Sequence, residues 1–574
     1  MNIHLKKNLY VSSFLGLAVL LAACSDKNET PLPEAKTGIE SCIRNVHIYR
    51  DGDMWAGTIQ ISDGKISALG APDGCKAYAG TGTKILDLGG AWIYPGFVDT
   101  HAHLLGIGLR EMTLNLEGTK SLKEVVTKLA EEVAKTPKGE TVYGRGWIET
   151  HWPEHRFPNR HDLDAVSPDN PVILQRADGH AVVVNSAALK AAGITRETKP
   201  PFGGDILKDE NGAPTGMIID NAMSLIEGLK PKLTPERRRA AYIKASEVYA
   251  RYGWTGLHSM SAIAADVPLI EELSDTGKLK IRVYNAVDLE GADALLDEIA
   301  KNGPRVNRNG RVVTRAIKLY MDGALGSRGA ALLAPYSDDP GNSGLLVSKH
   351  DEVLPALKRA LRDGIQISIH AIGDRGNRTL LDWYEEAFKA VPEAERKIKN
   401  PRWRDEHSQI INPDDIPRFA ALGVIASIQP SHAIGDLYFA PDRLGQGRLK
   451  GAYAWKSLED AGVLVTGGSD APVERGDPRI EYYAAVARKS LDGFSGPGWH
   501  PEEALSRTAA LDLFTKNAAF AAFAEGKRGE ISPGQAADFT VFDKNILEIP
   551  KADILKIKPV MTMVDGEVIY KEGE

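Results

Sequence analysis

Residues 96–103 read Gly96-Phe97-Val98-Asp99-Thr100-His101-Ala102-His103, an apolar run that turns polar and ends in two histidines one residue apart. Side chains alternate along a strand, so His101 and His103 fall on one face and both imidazoles can reach one cation. Seven more runs of this style follow, at 253–258, 281–287, 316–321, 364–370, 402–407, 423–429 and 462–470. Helical-looking segments such as 351–362 and 377–390 separate them. Strands alternating with helices, with polar residues at the strand ends, predict an α/β chain folded as a (β/α)₈, TIM-like barrel.

The spacing of the runs adds a second expectation. Later runs start 20 to 50 residues apart, yet roughly 150 residues separate the first from the second. A barrel unit needs about 30 residues, so an insertion of residues 105–235 is expected after the first strand, over the face where barrel active sites lie. Outside the barrel (residues 96–529), segments 39–95 and 530–574 both read as short strands broken by turns such as Asp63-Gly64 and Asp565-Gly566. Neither is long enough to bury a core alone, so the two ends are expected to form one small β-sandwich.

Residues 1–23 resemble a lipoprotein leader. Lys6 and Lys7 precede an apolar run from Leu9 to Leu21 that is short for a membrane span, and Leu21-Ala22-Ala23-Cys24 resembles a bacterial lipobox. Cys24 would then be lipidated and hold the protein to a bilayer in the cell envelope. Ser25, where an Asp would signal inner-membrane retention, points to the outer membrane facing the periplasm. Residues 24–38 read as a polar tether. The remaining cysteines, Cys42 and Cys75, fit a periplasmic disulfide or two buried thiols equally well. A net charge of −7 without a basic stripe argues against nucleic acid as a partner. Homo-oligomerisation is left open.

Three further strand ends carry ligand-type residues: His370 on the fifth run, His407 on the sixth and Asp470 on the eighth. With His101 and His103 they converge on one barrel axis, as a metal centre requires. Tyr94 to His103, Lys318 to Arg328, His370-Ala371-Ile372-Gly373-Asp374 and Gly468-Ser469-Asp470-Ala471-Pro472 resemble the amidohydrolase superfamily. Within it they resemble the YtcJ-like group that includes the N-substituted formamide deformylases. The resemblance implies one or two zinc ions per chain, with His101 and His103 on the more buried ion and His370 and His407 on the second. It implies a carbamylated Lys318 bridging them, and Asp470 as the remaining ligand and general base. Lys318 sits in the apolar run Ala316-Ile317-Lys318-Leu319-Tyr320, where burial favours the neutral amine that can add CO₂.

Other residues carry looser expectations. His180, in Arg176-Ala177-Asp178-Gly179-His180, is a candidate catalytic contact to the substrate or its carbonyl. Trp147 could form an apolar substrate wall, Arg328 could hold a substrate carboxylate, and Asp322 is a candidate substrate contact or alternative base. The expected activity is metal-dependent hydrolysis of a non-peptide C–N bond in a small linear N-acyl or N-formyl amide. A deaminase or cyclic-amide hydrolase is the alternative within the superfamily. A surface lipoprotein that only binds is opposed by the intact ligand set.

Overall fold

The computed structural model describes residues 38–80, 82–496 and 499–574; the expected leader, Cys24 and nearly all of the tether lie outside the described residues. Each apolar run forms a strand: β1 (Phe97–Ala102), β2 (Trp254–Ala262), β3 (Arg282–Asp288), β4 (Val312–Tyr320), β5 (Gln366–Ala371), β6 (Arg404–His407), β7 (Ile425–Ile428) and β8 (Val465–Gly467). They are hydrogen-bonded side by side in chain order, and every neighbouring pair is parallel. β1, β5 and β6 are buried along their whole length, which explains why these strands read as unbroken runs.

The ladders leave one gap, between β8 and β1. Backbone bonds just beyond the strand ends close it: Asp470 N donates to His101 O (2.6 Å) and His103 N donates to Ala471 O (2.7 Å). Gly468 permits this approach, since a Cβ there would lie 2.3 Å from His101 N. The result is a nearly closed, eight-strand parallel barrel with its first and last strands locked together at the rim.

Local chemistry sets where helices hand over to strands. The helix Pro235–Tyr252 starts at Thr234, whose hydroxyl accepts from Arg237 N (3.3 Å), with proline in its first turn. It stops at Gly253 in the left-handed conformation (φ 107°), and β2 begins at the next residue.

Between β1 and that helix the chain builds its own six-strand sheet, running from Leu114–Asn115 through Val142–Trp147, Val172–Arg176, Ala181–Val184 and Pro214–Asp220 to Gly204–Lys208. An apolar cluster including Trp147, Trp152, Leu163 and Leu174 packs one part of it.

The two chain ends join in a seven-strand sheet in which Lys84–Pro95 pairs antiparallel with Phe539–Phe542. Ile43, Ile59 and Ile93 from one end share an apolar core with Phe539, Val541 and Met561 from the other. Where the sequence predicts a sandwich, hydrogen bonds run through all seven strands as one continuous sheet. Arg282, at the start of β3, ties this module to the barrel through Asp538 (2.6 Å) and Asp565. Cys42 and Cys75 form a disulfide, which resolves the alternative left open by the sequence. Among the described residues no helix is long and apolar enough to cross a membrane.

Candidate metal centre

The C-terminal ends of the barrel strands carry a cluster of imidazoles around Asp470. His101 ends β1 with its ring fully buried. Its Nδ1 lies 2.7 Å from Glu406 Oε2, which leaves Nε2 as the free electron pair. Glu406 is in turn paired with Arg404 (2.7 Å), and Arg404 also donates to Thr100 O (2.6 Å), Ser427 Oγ (2.8 Å) and His258 Nδ1. His258, at which the second run was expected to end, is therefore engaged away from the cavity. His103 Nδ1 faces Met260 O (3.1 Å), so its Nε2 also points inward, 3.0 Å from Asp470 Oδ1.

On the other side of Asp470, His432 Nε2 lies 3.6 Å from Oδ2, and its ring stacks on that of His407 (5.8 Å, 11° between planes). His370 sits beyond, with its ring 4.4 Å from that of His407 and Nε2 3.4 Å from Gly323 O. Two sets of ligand atoms each fall within 4.8 Å of one another, His101–His103–Asp470 and His407–His432–Asp470. Asp470 belongs to both. Lys318 Nζ lies 3.4 Å from His101 Nε2, with no carboxylate in ion-pair range among the described residues.

The donor chemistry suits a divalent cation. Burial and then the Lys318 charge push the His101 imidazole down to about 4. Burial likewise holds His370 and His407 far below their ordinary range. Neutral imidazoles are the form that ligates. His407 Nδ1 and His432 Nε2 are buried without a hydrogen-bond partner, an arrangement that costs free energy unless something binds there. Burial pushes the Asp470 carboxyl up, but His101, His103 and His407 outweigh it and keep the group well below its usual value. His407 (φ 84°) and Asp470 (φ 57°) both occupy the left-handed backbone region, conformations that side chains rarely adopt and that gather at functional sites.

A cavity of about 470 Å³ opens over this cluster, lined from the barrel by His103, Lys318, His370 and Asp470 and from the insertion by Arg145 and His180. His180 faces the ring of His370 (5.1 Å), and its Nδ1 lies 2.7 Å from Asp220 Oδ1. Burial lowers its pKa, yet Asp220 more than reverses this and leaves the imidazole raised.

Other expected residues are placed elsewhere or are already occupied. Asp322 borders the cavity, but its oxygens accept from the backbone N–H groups of Ala331, Ile372 and Gly373. Burial pushes it up to about 7; it pins the loops after β4 and β5. Trp147 is fully buried in the insertion's core, where Nε1 donates to Leu174 O (2.8 Å). Arg328 pairs with Asp338 (2.9 Å). Neither Trp147 nor Arg328 lines the cavity.

Several residues at the site went unassigned in the sequence reading. Glu406 precedes the candidate ligand His407, and that adjacency was the available signal. His432 lies on the short helix Pro430–Asp436 after β7 rather than at a strand end. Asp99 accepts from Ser469 N (2.9 Å), Ser469 Oγ (2.5 Å) and Tyr249 OH (2.9 Å), and so fixes the turn that presents Asp470.

Comparison with known proteins agrees with this geometry. The chain is 34% identical to putative amidohydrolase YtcJ of Bacillus subtilis, over 90% of this chain and 96% of that one. It is 28% identical to N-substituted formamide deformylase of Arthrobacter pascens, over 92% and 97%. The crystal structure of an uncharacterized metal-dependent hydrolase from Pyrococcus horikoshii superposes with a TM-score of 0.70 at 27% identity, covering 89% of this chain and 99% of that one. A family model described as an amidohydrolase family matches residues 84–570. The chain is a hydrolase that belongs to the amidohydrolase family.

Proposed function

We propose that the protein hydrolyses the C–N bond of a small linear N-acyl or N-formyl amide. The observation that carries this reading is the position of Asp470, a buried carboxylate shared by two sets of atoms that could hold a metal and lining, with His180, a cavity of about 470 Å³. The name of the Arthrobacter relative, 28% identical over nearly its whole length, supports an amide as substrate.

His101, His103, His407, His432 and Asp470 would hold the cation or cations, for which zinc suits the nitrogen and oxygen donors. When bound, the metal supplies Lewis acidity, which polarises a carbonyl and makes water a nucleophile near neutral pH. Asp470 accepts a proton from the attacking water and returns it to the leaving nitrogen. His180, oriented by Asp220, whose carboxylate favours the protonated imidazole, donates a hydrogen bond to the carbonyl oxygen. Lys318, buried and without a counter-ion among the described residues, is disposed to the neutral amine. Its nitrogen adds to CO₂ and loses a proton, which gives a carbamate with two further oxygen donors beside His101.

The zinc-loaded protein should release amine from N-formyl and N-acyl amines, lose this activity to a chelator and regain it with zinc. Ammonia release from aminated heterocycles, with no amide cleaved, would overturn the reading. Attachment to a bilayer through Cys24 is proposed from the leader alone. Cys24→Ser should move the protein to the soluble fraction, and a variant that stays in salt-washed membranes would refute it.

A further inference from the structure

The cavity holds a cation that the reaction does not use. Arg145 sits in the insertion strand Val142–Trp147 and lines the chamber above the metal centre. Its Nη2 donates to Ala177 O (3.1 Å), while its Nε is buried with no hydrogen-bond partner. Among the described residues no carboxylate lies within ion-pair distance of it. Its neighbours differ: Arg176 is held by Glu149 (2.9 Å) and Asp178, and Arg110 by Glu111 (3.2 Å). Arg145 is half-buried with its Nε shut off from water; a guanidinium so placed without a counter-anion is costly, and its planar fork matches a carboxylate. Burial lowers its pKa, opposed by Tyr143, Asp470 and Asp178 and reinforced by Arg110.

Arg145 also stands where the chamber meets a side cavity of about 350 Å³, with an apolar wall of Leu104, Leu105, Leu109 and Met260 and polar groups, Arg110 and Asp288 among them, on its other sides. An acid group at Arg145 would therefore sit between the reacting centre and a recess with one apolar wall.

We propose that Arg145 anchors a carboxylate of the substrate, so that the amide cleaved here is an acidic one with an apolar substituent, such as an N-acyl derivative of an apolar amino acid. This rests on the amide-hydrolase reading above and assigns the carboxylate-binding role expected of Arg328 to an insertion residue instead.

The test compares N-formylphenylalanine with N-formylphenethylamine, which differ only in the carboxylate, on the zinc-loaded full chain. The wild type should prefer the acid in kcat/KM. Arg145→Met should lower the acid-to-neutral ratio by roughly 10- to 100-fold, mainly through KM for the acid, as expected for a lost charge-assisted pair. Arg145→Lys should keep part of the preference, and thermal melts confirm that both variants fold. No preference in the wild type, or an unchanged ratio in folded Arg145→Met, overturns the anchor. Calorimetry with the same pair on zinc-loaded Asp470→Asn separates binding from reaction. If the wild type hydrolyses neither compound but the acid alone binds to zinc-loaded Asp470→Asn, and adding Arg145→Met abolishes that binding, the anchor stands and the reaction assigned above fails. Equal or absent binding of the two overturns the anchor.

Discussion

The barrel rim and the insertion face each other across one cavity and are built on different terms. On the rim, the residues that carry chemistry are fixed by partners of their own. Glu406 and Arg404 hold His101, the Met260 carbonyl holds His103, and Asp99 holds the turn before Asp470. On the insertion side, His180 is fixed by Asp220, but Arg145 has no counter-ion among the described residues. On the proposed reading the rim is a prearranged reaction centre, and the insertion supplies recognition. Chemistry common to a family can then persist while the insertion changes what is admitted.

Substitutions on the two sides should therefore fail differently. The largest effect is expected at Lys318. Lys318→Ala should lose most of its metal, read by elemental analysis, and with it nearly all turnover. Short carboxylic acids added with zinc should restore some activity by standing in for the carbamate, and full metal and turnover in the variant would exclude a bridging role. Asp470→Asn should keep part of its metal, because the amide oxygen can still ligate, yet lose about 10²–10⁴-fold in kcat because an amide accepts no proton. The low-pH limb of the rate profile, which reports protonation of this base, should disappear from its residual activity. Near-normal kcat with metal bound would move the base elsewhere.

Glu406→Gln should weaken metal affinity by about 10- to 100-fold, since His101 loses the carboxylate that orients it. A chelator titration measures this, and an unchanged affinity would mean that packing alone aims the ring. Trp147→Ala sharpens the comparison from the other side. It should cost about 3–5 kcal/mol of unfolding free energy as a core truncation, with metal content intact. A raised KM without lost stability would instead restore Trp147 as a substrate wall.

The barrel was legible because its strands are largely buried on both faces, so they show as apolar runs, most of them ending in a polar residue. The histidines at 101, 103, 370 and 407 and Asp470 were legible for the same reason, being what those runs end in. His432 escaped because the chain passes through Gln429 into a helix before reaching it, and no strand-end rule covers that step. Arg145 lies inside Val142-Tyr143-Gly144-Arg145-Gly146-Trp147, where a charged residue on a short strand looks like any solvent-facing one. Trp147 and Arg328 misled for the opposite reason. Their types suit substrate contact, and only tertiary packing shows that a core and an aspartate already occupy them.

The lock between β1 and β8 bears on how the protein acquires activity. Asp470 is positioned by its own backbone bond to His101 O, by the bond from His103 N to Ala471 O beside it and by the Asp99 carboxylate, so its geometry depends on chain segments some 370 residues apart. Such a pairing carries a large loop-closure entropy and belongs to the slow, non-local part of folding. During synthesis the leading strand and its two histidines must wait, without their carboxylate partner, until the last barrel strand has emerged and docked. Catalytic competence therefore reports completion of the whole barrel, and a truncation just before residue 465 should yield an inert chain however well its earlier units are formed.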